Sequence, residues 1–222
     1  MLMKKQMTSG AFVRAAAACS FLLIFCGCSQ NREEIPKIVG NPPSSEVRQP
    51  RLPEPSYNPQ PSNLNVPGDW LPPARLERRW TAVVIHHSGT DNGNAGIFDR
   101  EHRKVRHWQG VGYDFVIGNG TDSGDGQVEV TFRWRRQLTG AHCKTPDNWA
   151  NEQAVGICLV GNFNHSSPTS RQIQSLLKLV RFLQKRYNIA TSRVYGHNSA
   201  PGAHATDCPG RYFRLARFKS ML

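Results

Sequence analysis

Three side chains far apart in this chain have the chemistry to hold one metal ion. His86 ends the β-branched run Thr81-Ala-Val-Val-Ile-His86, His197 follows the short run Arg193-Val-Tyr-Gly, and Cys208 stands before Pro209-Gly210. Two imidazoles and a thiolate suit one zinc ion, and three protein ligands leave a fourth position for water, the pattern of a catalytic rather than a structural site. A zinc ion brings the pKa of a coordinated water to about 7 and polarises a carbonyl, which are the two requirements of amide hydrolysis near neutral pH. Spacing alone does not establish the set. These separations are not those of a zinc finger, a single histidine is more often structural, and a lone cysteine is more often a small buried hydrophobe. His204, between His197 and Cys208, is the rival second ligand. His87 belongs to a strand in which neighbours face opposite ways, so it is expected to point away from the metal.

The elements that must position these residues follow from periodicity. Thr81 to His86 predicts a buried strand, with its chemistry at the end. Phe98 to Trp108 predicts a helix with Phe98, Val105 and Trp108 on its apolar face. Strands are predicted over Gly112 to Ile117 and Val128 to Trp134, separated by the Gly118-Asn119-Gly120 turn and a Gly- and Asp-rich stretch. Ala154 to Gly161 is almost wholly apolar, which predicts a central strand covered on both faces. Thr169-Ser-Arg-Gln172 is a capping-box pattern, followed by Ile173, Leu176, Leu177, Val180, Leu183 and Tyr187 at helical spacing. Strands alternating with helices predict an α/β domain: a mixed central sheet flanked by helices.

Composition divides the 222 residues into three parts. Residues 1–28 carry Lys4, Lys5 and Arg14 ahead of an apolar run from Ala15 to Phe25 that is too short to span a bilayer, which predicts an export signal. Gly27-Cys28 resembles the end of a bacterial lipoprotein signal, with Cys28 as the lipidated residue; the alternative is an ordinary cleaved signal. Residues 29–73 hold 11 of the 15 prolines and almost no aromatic side chains, which predicts a disordered tether. Residues 74–222 form the folded domain and carry +10 of the formal +12 charge. Cys143, Cys158 and Cys208 are the domain's cysteines, an odd number, so at least one has chemistry other than a disulfide. Cys158 reads as core and Cys143 as a free thiol. Trp108, Trp134 and Trp149 either fill the core or stack on sugar.

Five motifs occur in the order and spacing of one family. Val84-Ile85-His86-His87-Ser88, Gly112-Tyr113-Asp114-Phe115, Gly140-Ala141-His142, Ala154-Val155-Gly156-Ile157, and Gly196-His197 followed by Thr206-Asp207-Cys208-Pro209-Gly210 resemble the zinc-dependent N-acetylmuramoyl-L-alanine amidases of the phage-lysozyme and peptidoglycan-recognition-protein type. The resemblance runs from Trp80 to Phe213. It implies His86, His197 and Cys208 as ligands of one Zn2+, and Tyr113 as the residue beside the metal that stabilises charge on the scissile carbonyl. It implies an oxyanion hydrogen bond from Thr206, where phage-type members carry Lys. It implies a zinc site in a groove at one face of the sheet, and His142 and Asn151 match positions that line that groove and contact substrate. The interval from His197 to Cys208 is longer than is usual in the family and contains His204. Gly196-His197 directly follows a strand, as the family's ligand does, which favours His197.

Two functional classes follow from the resemblance: an amidase that cuts the bond between N-acetylmuramic acid and L-alanine, and a peptidoglycan-binding module of the same fold without the reaction. Retention of His86, His197, Cys208 and Tyr113 together favours the enzyme. A basic domain also attracts phosphates, but there is no nucleic-acid motif, and an exported domain meets wall polymers and lipid head groups instead. The expected partners are peptidoglycan and, through the lipid, a membrane, with no nucleic acid. The expected state is a monomer anchored at the outer membrane and facing the periplasm.

Overall fold

The computed structural model describes residues 65–222. The segments expected to be an export signal and a tether, with Cys28, lie outside the described residues as far as residue 64. Five strands form one sheet: β1 (Ala82–His87), β2 (Phe115–Ile117), β3 (Val128–Val130), β4 (Ala154–Leu159) and β5 (Val194–Gly196). Their order is β3-β2-β4-β1-β5. β2, β4, β1 and β5 run parallel, and β3 is antiparallel to β2 at the edge. The helices are α1 (Ala95–Arg106), α2 (Phe132–Arg136), α3 (Trp149–Gln153), α4 (Ser170–Tyr187) and α5 (Leu215–Lys219). This is the mixed, helix-flanked sheet expected from the sequence.

The alternation of strand side chains decides which residues make core and which make chemistry. Ile85, Ile157 and Phe115 are register partners, and all three belong to the main core with Leu176, Leu179, Phe182 and Leu183 of α4. Each such side chain, fully buried, contributes about 1.5 to 3 kcal/mol. One residue on, the partners His86, Cys158 and Val116 face the other way, toward the side covered by Phe98 of α1. β4 is central and buried along its whole length, as its apolar composition predicts.

α4 has the capping box foreseen at its start: Gln172 N–H donates to Thr169 Oγ1 at 3.0 Å, and Thr169 N–H donates to Gln172 Oε1 at 3.1 Å. The Gln172 amide also donates to the carbonyls of Val160 at 2.8 Å and Ile117 at 3.2 Å, which fastens the helix to the ends of β4 and β2.

Four expectations change. α1 begins at Ala95 because Asn94 caps it, its Oδ1 accepting from Ile97 N–H at 2.8 Å. Val105 is 69% exposed and Trp108 lies beyond the helix end, so neither forms its apolar face; Phe98 and His102 do. The third strand stops at Val130 because the Thr131 side chain caps α2, turning the segment through Trp134 into helix. Of the strand predicted from Gly112, only Phe115–Ile117 is strand. Folding also starts ahead of Ala74: Trp70 is 3% exposed and packs with Phe182, and its carbonyl accepts from Trp134 Nε1 at 2.9 Å. Further along this arm, Glu77 is held from α4 by Nε and Nη2 of Arg186, each at 2.6 Å, and by Tyr187 Oη at 2.7 Å.

Candidate metal centre

The carboxyl ends of β1 and β5 and the loop ahead of Pro209 bring three donors together. One donor atom from each of His86, His197 and Cys208 lies within 4.8 Å of the others, so the group could hold a metal ion. His86 Nδ1 and Cys208 Sγ are 3.6 Å apart, and the His86 and His197 ring centroids are 4.6 Å apart. Metal–nitrogen bonds of about 2.0 Å and metal–sulfur bonds of about 2.3 Å at a tetrahedral ion place two ligand atoms about 3.5 Å apart. The observed spacing therefore fits one ion. His204 is exposed in the loop and is not one of the grouped donors.

The surroundings keep these donors ready for a cation. Burial, reinforced by neighbouring His142 and His197, holds His86 well below the usual imidazole range, and burial also lowers His197. Both rings are therefore neutral at pH 7 with a lone pair to give. Burial pushes the Cys208 thiol up to about 12, an effect opposed by the His87 backbone N–H, which donates to Cys208 Sγ at 3.4 Å. A cation that binds the thiolate must displace that proton, so binding is coupled to proton release. The His87 ring turns away, its Nδ1 accepting from Phe163 N–H at 3.0 Å, as alternation requires.

Tyr113 sits beside His86, with ring centroids 5.2 Å apart. Burial pushes its hydroxyl well above the usual phenol range, so it is a neutral O–H donor at any ordinary pH. Thr206 Oγ1 accepts from Cys208 N–H at 3.2 Å, which orients the hydroxyl and leaves its own hydrogen to donate elsewhere. Asn164, His165, Asn198, Asp207 and Arg211 line a polar hollow of about 520 Å³; Asn198 and Asp207 are chain neighbours of two of the donors. No periodicity marks this hollow in the sequence, since turns, loops and one short 3-10 segment supply its residues. A larger hollow of about 870 Å³, between α1 and α2, contains none of the donors.

His142 lies beside His86 and Asn151 beside His142, and both are almost wholly buried. They are 7% and 8% exposed, and their polar atoms make hydrogen bonds within the protein. His142 Nδ1 is 3.1 Å from His86 Nε2, and His142 Nε2 is 3.3 Å from the Ala154 carbonyl. Asn151 Oδ1 accepts from the backbone N–H of His142 at 2.8 Å and of Cys143 at 3.0 Å. Cys143 and Cys158 are buried free thiols. Of the tryptophans, Trp134 is core, Trp149 donates to the Pro201 carbonyl, and Trp108 is 37% exposed against His102.

Residues 76–211 match the family model described as N-acetylmuramoyl-L-alanine amidase. Peptidoglycan-recognition protein SC2 of Drosophila melanogaster is 35% identical over 137 residues, which cover 58% of this chain and 67% of that protein. Its Drosophila simulans counterpart is 35% identical over 104 residues, 46% of this chain and 49% of its own length. The chain thus spans between about half and two thirds of these relatives. Among solved structures, N-acetylmuramoyl-L-alanine amidase LysC from Clostridium intestinale superposes with a TM-score of 0.54 at 30% identity, covering 64% of this chain and 84% of that one.

Proposed function

Since the chain belongs to the N-acetylmuramoyl-L-alanine amidase family, we propose that it hydrolyses the amide bond between N-acetylmuramic acid and L-alanine in peptidoglycan or its fragments, using one zinc ion held by His86, His197 and Cys208. The observation that carries the reading is the convergence of those three donors beside Tyr113. Zinc in a three-ligand site supplies an activated water near neutral pH and a Lewis acid for the carbonyl. The chain's own residues supply the rest. Tyr113, kept protonated, donates its hydroxyl hydrogen to the scissile carbonyl oxygen as charge gathers there. Thr206, two residues ahead of Cys208, adds a second donor. Each such donor is worth about 3 kcal/mol of transition-state stabilisation. The polar hollow at Asn198 and Asp207 offers hydrogen-bond partners to the sugar and peptide flanking the bond. The protein acts as an exported monomer, anchored at the envelope through a lipid on Cys28.

Mass analysis of peptidoglycan digested by the protein, with and without chelator, tests this. Release of stem peptides with a free L-alanine amine, abolished by chelator and restored by zinc, is the expected result. Retention on insoluble wall without any release identifies a binding module, consistent with the recognition proteins among its relatives, and ends the enzymatic reading.

A further inference from the structure

We infer that His142 is a positioning residue for the metal centre, fixing the ring tautomer of His86 so that Nδ1 is always the bare, metal-facing nitrogen. The inference rests on the metal site proposed above and follows from a chain of hydrogen bonds that can be satisfied in one way only. The Ala154 carbonyl can only accept, so His142 Nε2, at 3.3 Å, carries the hydrogen. A neutral ring has one N–H, which leaves His142 Nδ1 as an acceptor. His86 Nε2, at 3.1 Å from it, must then be the donor. With its single hydrogen committed there, His86 presents an unprotonated Nδ1 toward Cys208 Sγ, 3.6 Å away. The other tautomer would set two lone pairs against each other at 3.1 Å and aim an N–H at the ion.

The surrounding chain is shaped to hold this one ring. A Cβ on Gly156 would lie 2.3 Å from His142 Cδ2, and a Cβ on Gly140 would lie 2.6 Å from the same atom. Both positions therefore have no side chain because His142 occupies the space. Asn151 fixes the ring's backbone through the two N–H groups it accepts from. Hydrogen bonds to the distal nitrogen of a ligating histidine fix its orientation and raise its basicity, and their loss typically costs 10 to 100-fold in metal affinity. Here the partner is another imidazole, relayed to a backbone carbonyl.

The test is long-range 1H–15N correlation of the full-length protein, uniformly 15N-labelled and freed of metal, with zinc affinity measured by chelator competition. Wild-type His86 should show the Nε2–H tautomer alone. His142→Ala should give a mixed or inverted His86 tautomer and bind zinc about 10 to 100-fold more weakly. His142→Asn keeps an acceptor near the position of Nδ1 and should restore both readouts to within a few-fold of wild type. Nδ1–H as the main form of His86 in the wild-type protein overturns the inference, as does a folded His142→Ala variant with wild-type zinc affinity. If His142→Ala fails to fold, the wild-type tautomer and His142→Asn decide. A wild-type protein that takes up no zinc removes the proposed reaction, while the tautomer measurement still judges the role of His142.

Discussion

Gly156→Ala adds one methyl group to the middle of β4, and its effect should be felt at His86, the proposed metal ligand two strand positions away. Alanine suits a strand better than glycine, and reduced backbone entropy of the unfolded chain alone would make the change stabilising by about 0.4 to 1 kcal/mol. Contact decides otherwise. The new Cβ would stand 2.3 Å from His142 Cδ2 and 2.6 Å from Cγ, against an ordinary separation near 3.4 to 4 Å. The ring must retreat by more than 1 Å, and it is not a free-swinging tip, since both of its nitrogens are engaged. A 3.1 Å contact to His86 Nε2 stretched by that amount is no longer a hydrogen bond. Overpacking of this kind typically costs about 1 to 3 kcal/mol, which outweighs the entropic gain and lowers Tm by about 2 to 4 °C per kcal/mol in a domain of this size. Zinc affinity should fall by about 10-fold or more. Thermal unfolding of the metal-free variant and chelator competition read the two effects separately. A variant as stable as wild type that binds zinc equally well would refute the packing argument.

Tyr113→Phe keeps the ring and the zinc but removes one donor, so turnover should drop by about 10² to 10³ with little change in substrate affinity, read as kcat against KM on soluble muropeptides. Unchanged turnover would reduce Tyr113 to a packing residue. His197→Ala should abolish zinc binding while His204→Ala leaves metal content and cleavage within a few-fold; a zinc assay showing the reverse would exchange their roles. Asp114 is fully buried; burial raises its carboxyl to about 7, and one of its oxygens has no hydrogen-bond partner among the described residues. An acid whose folded pKa is raised contributes stability that is fully present below about 4 and is lost as pH rises to about 7, at up to about 1.4 kcal/mol per pH unit. Asp114→Asn removes that slope, so urea midpoints of variant and wild type should diverge in the variant's favour between pH 4 and 7; parallel curves would count against it. Glu77→Gln breaks a buried bidentate pair and should cost about 3 to 5 kcal/mol, with a stability loss under 1 kcal/mol in urea titration arguing that the arm is dispensable.

The parts of this molecule that could be read from sequence are those in which one local rule acts alone. The apolar run of β4 has no alternative to a central position, and Thr169 with Gln172 fixes the start of α4 to the residue. His86 and His197 stand at strand ends, where side chains gather into one site. What could not be read required two elements at once. Phe132 to Trp134 continues the strand-like pattern of β3, and only the Thr131 cap turns it into helix. Trp70 lay inside a proline-rich stretch whose average composition hid one large buried ring. His142 lies in a loop, and its direction is set by the vacant space above Gly156 of β4, a contact that no local pattern announces. A histidine's identity is local, but which partner its nitrogens meet is a property of the packed sheet.

The arm from Trp70 to Glu77 has a mechanical consequence. Two of its fastenings, Trp70 on Phe182 and Glu77 on Arg186, are made to α4. That helix covers the sheet face to which Ile85 and Ile157 point, opposite to the face that carries His86. A pull arriving through the chain ahead of residue 65 must unseat a tryptophan and a buried ion pair before it reaches β1. The strand that carries His86 is thereby shielded from a load applied at the amino end, and the face on which His86, His197 and Cys208 gather is turned away from the arm, as a blade is turned away from its handle.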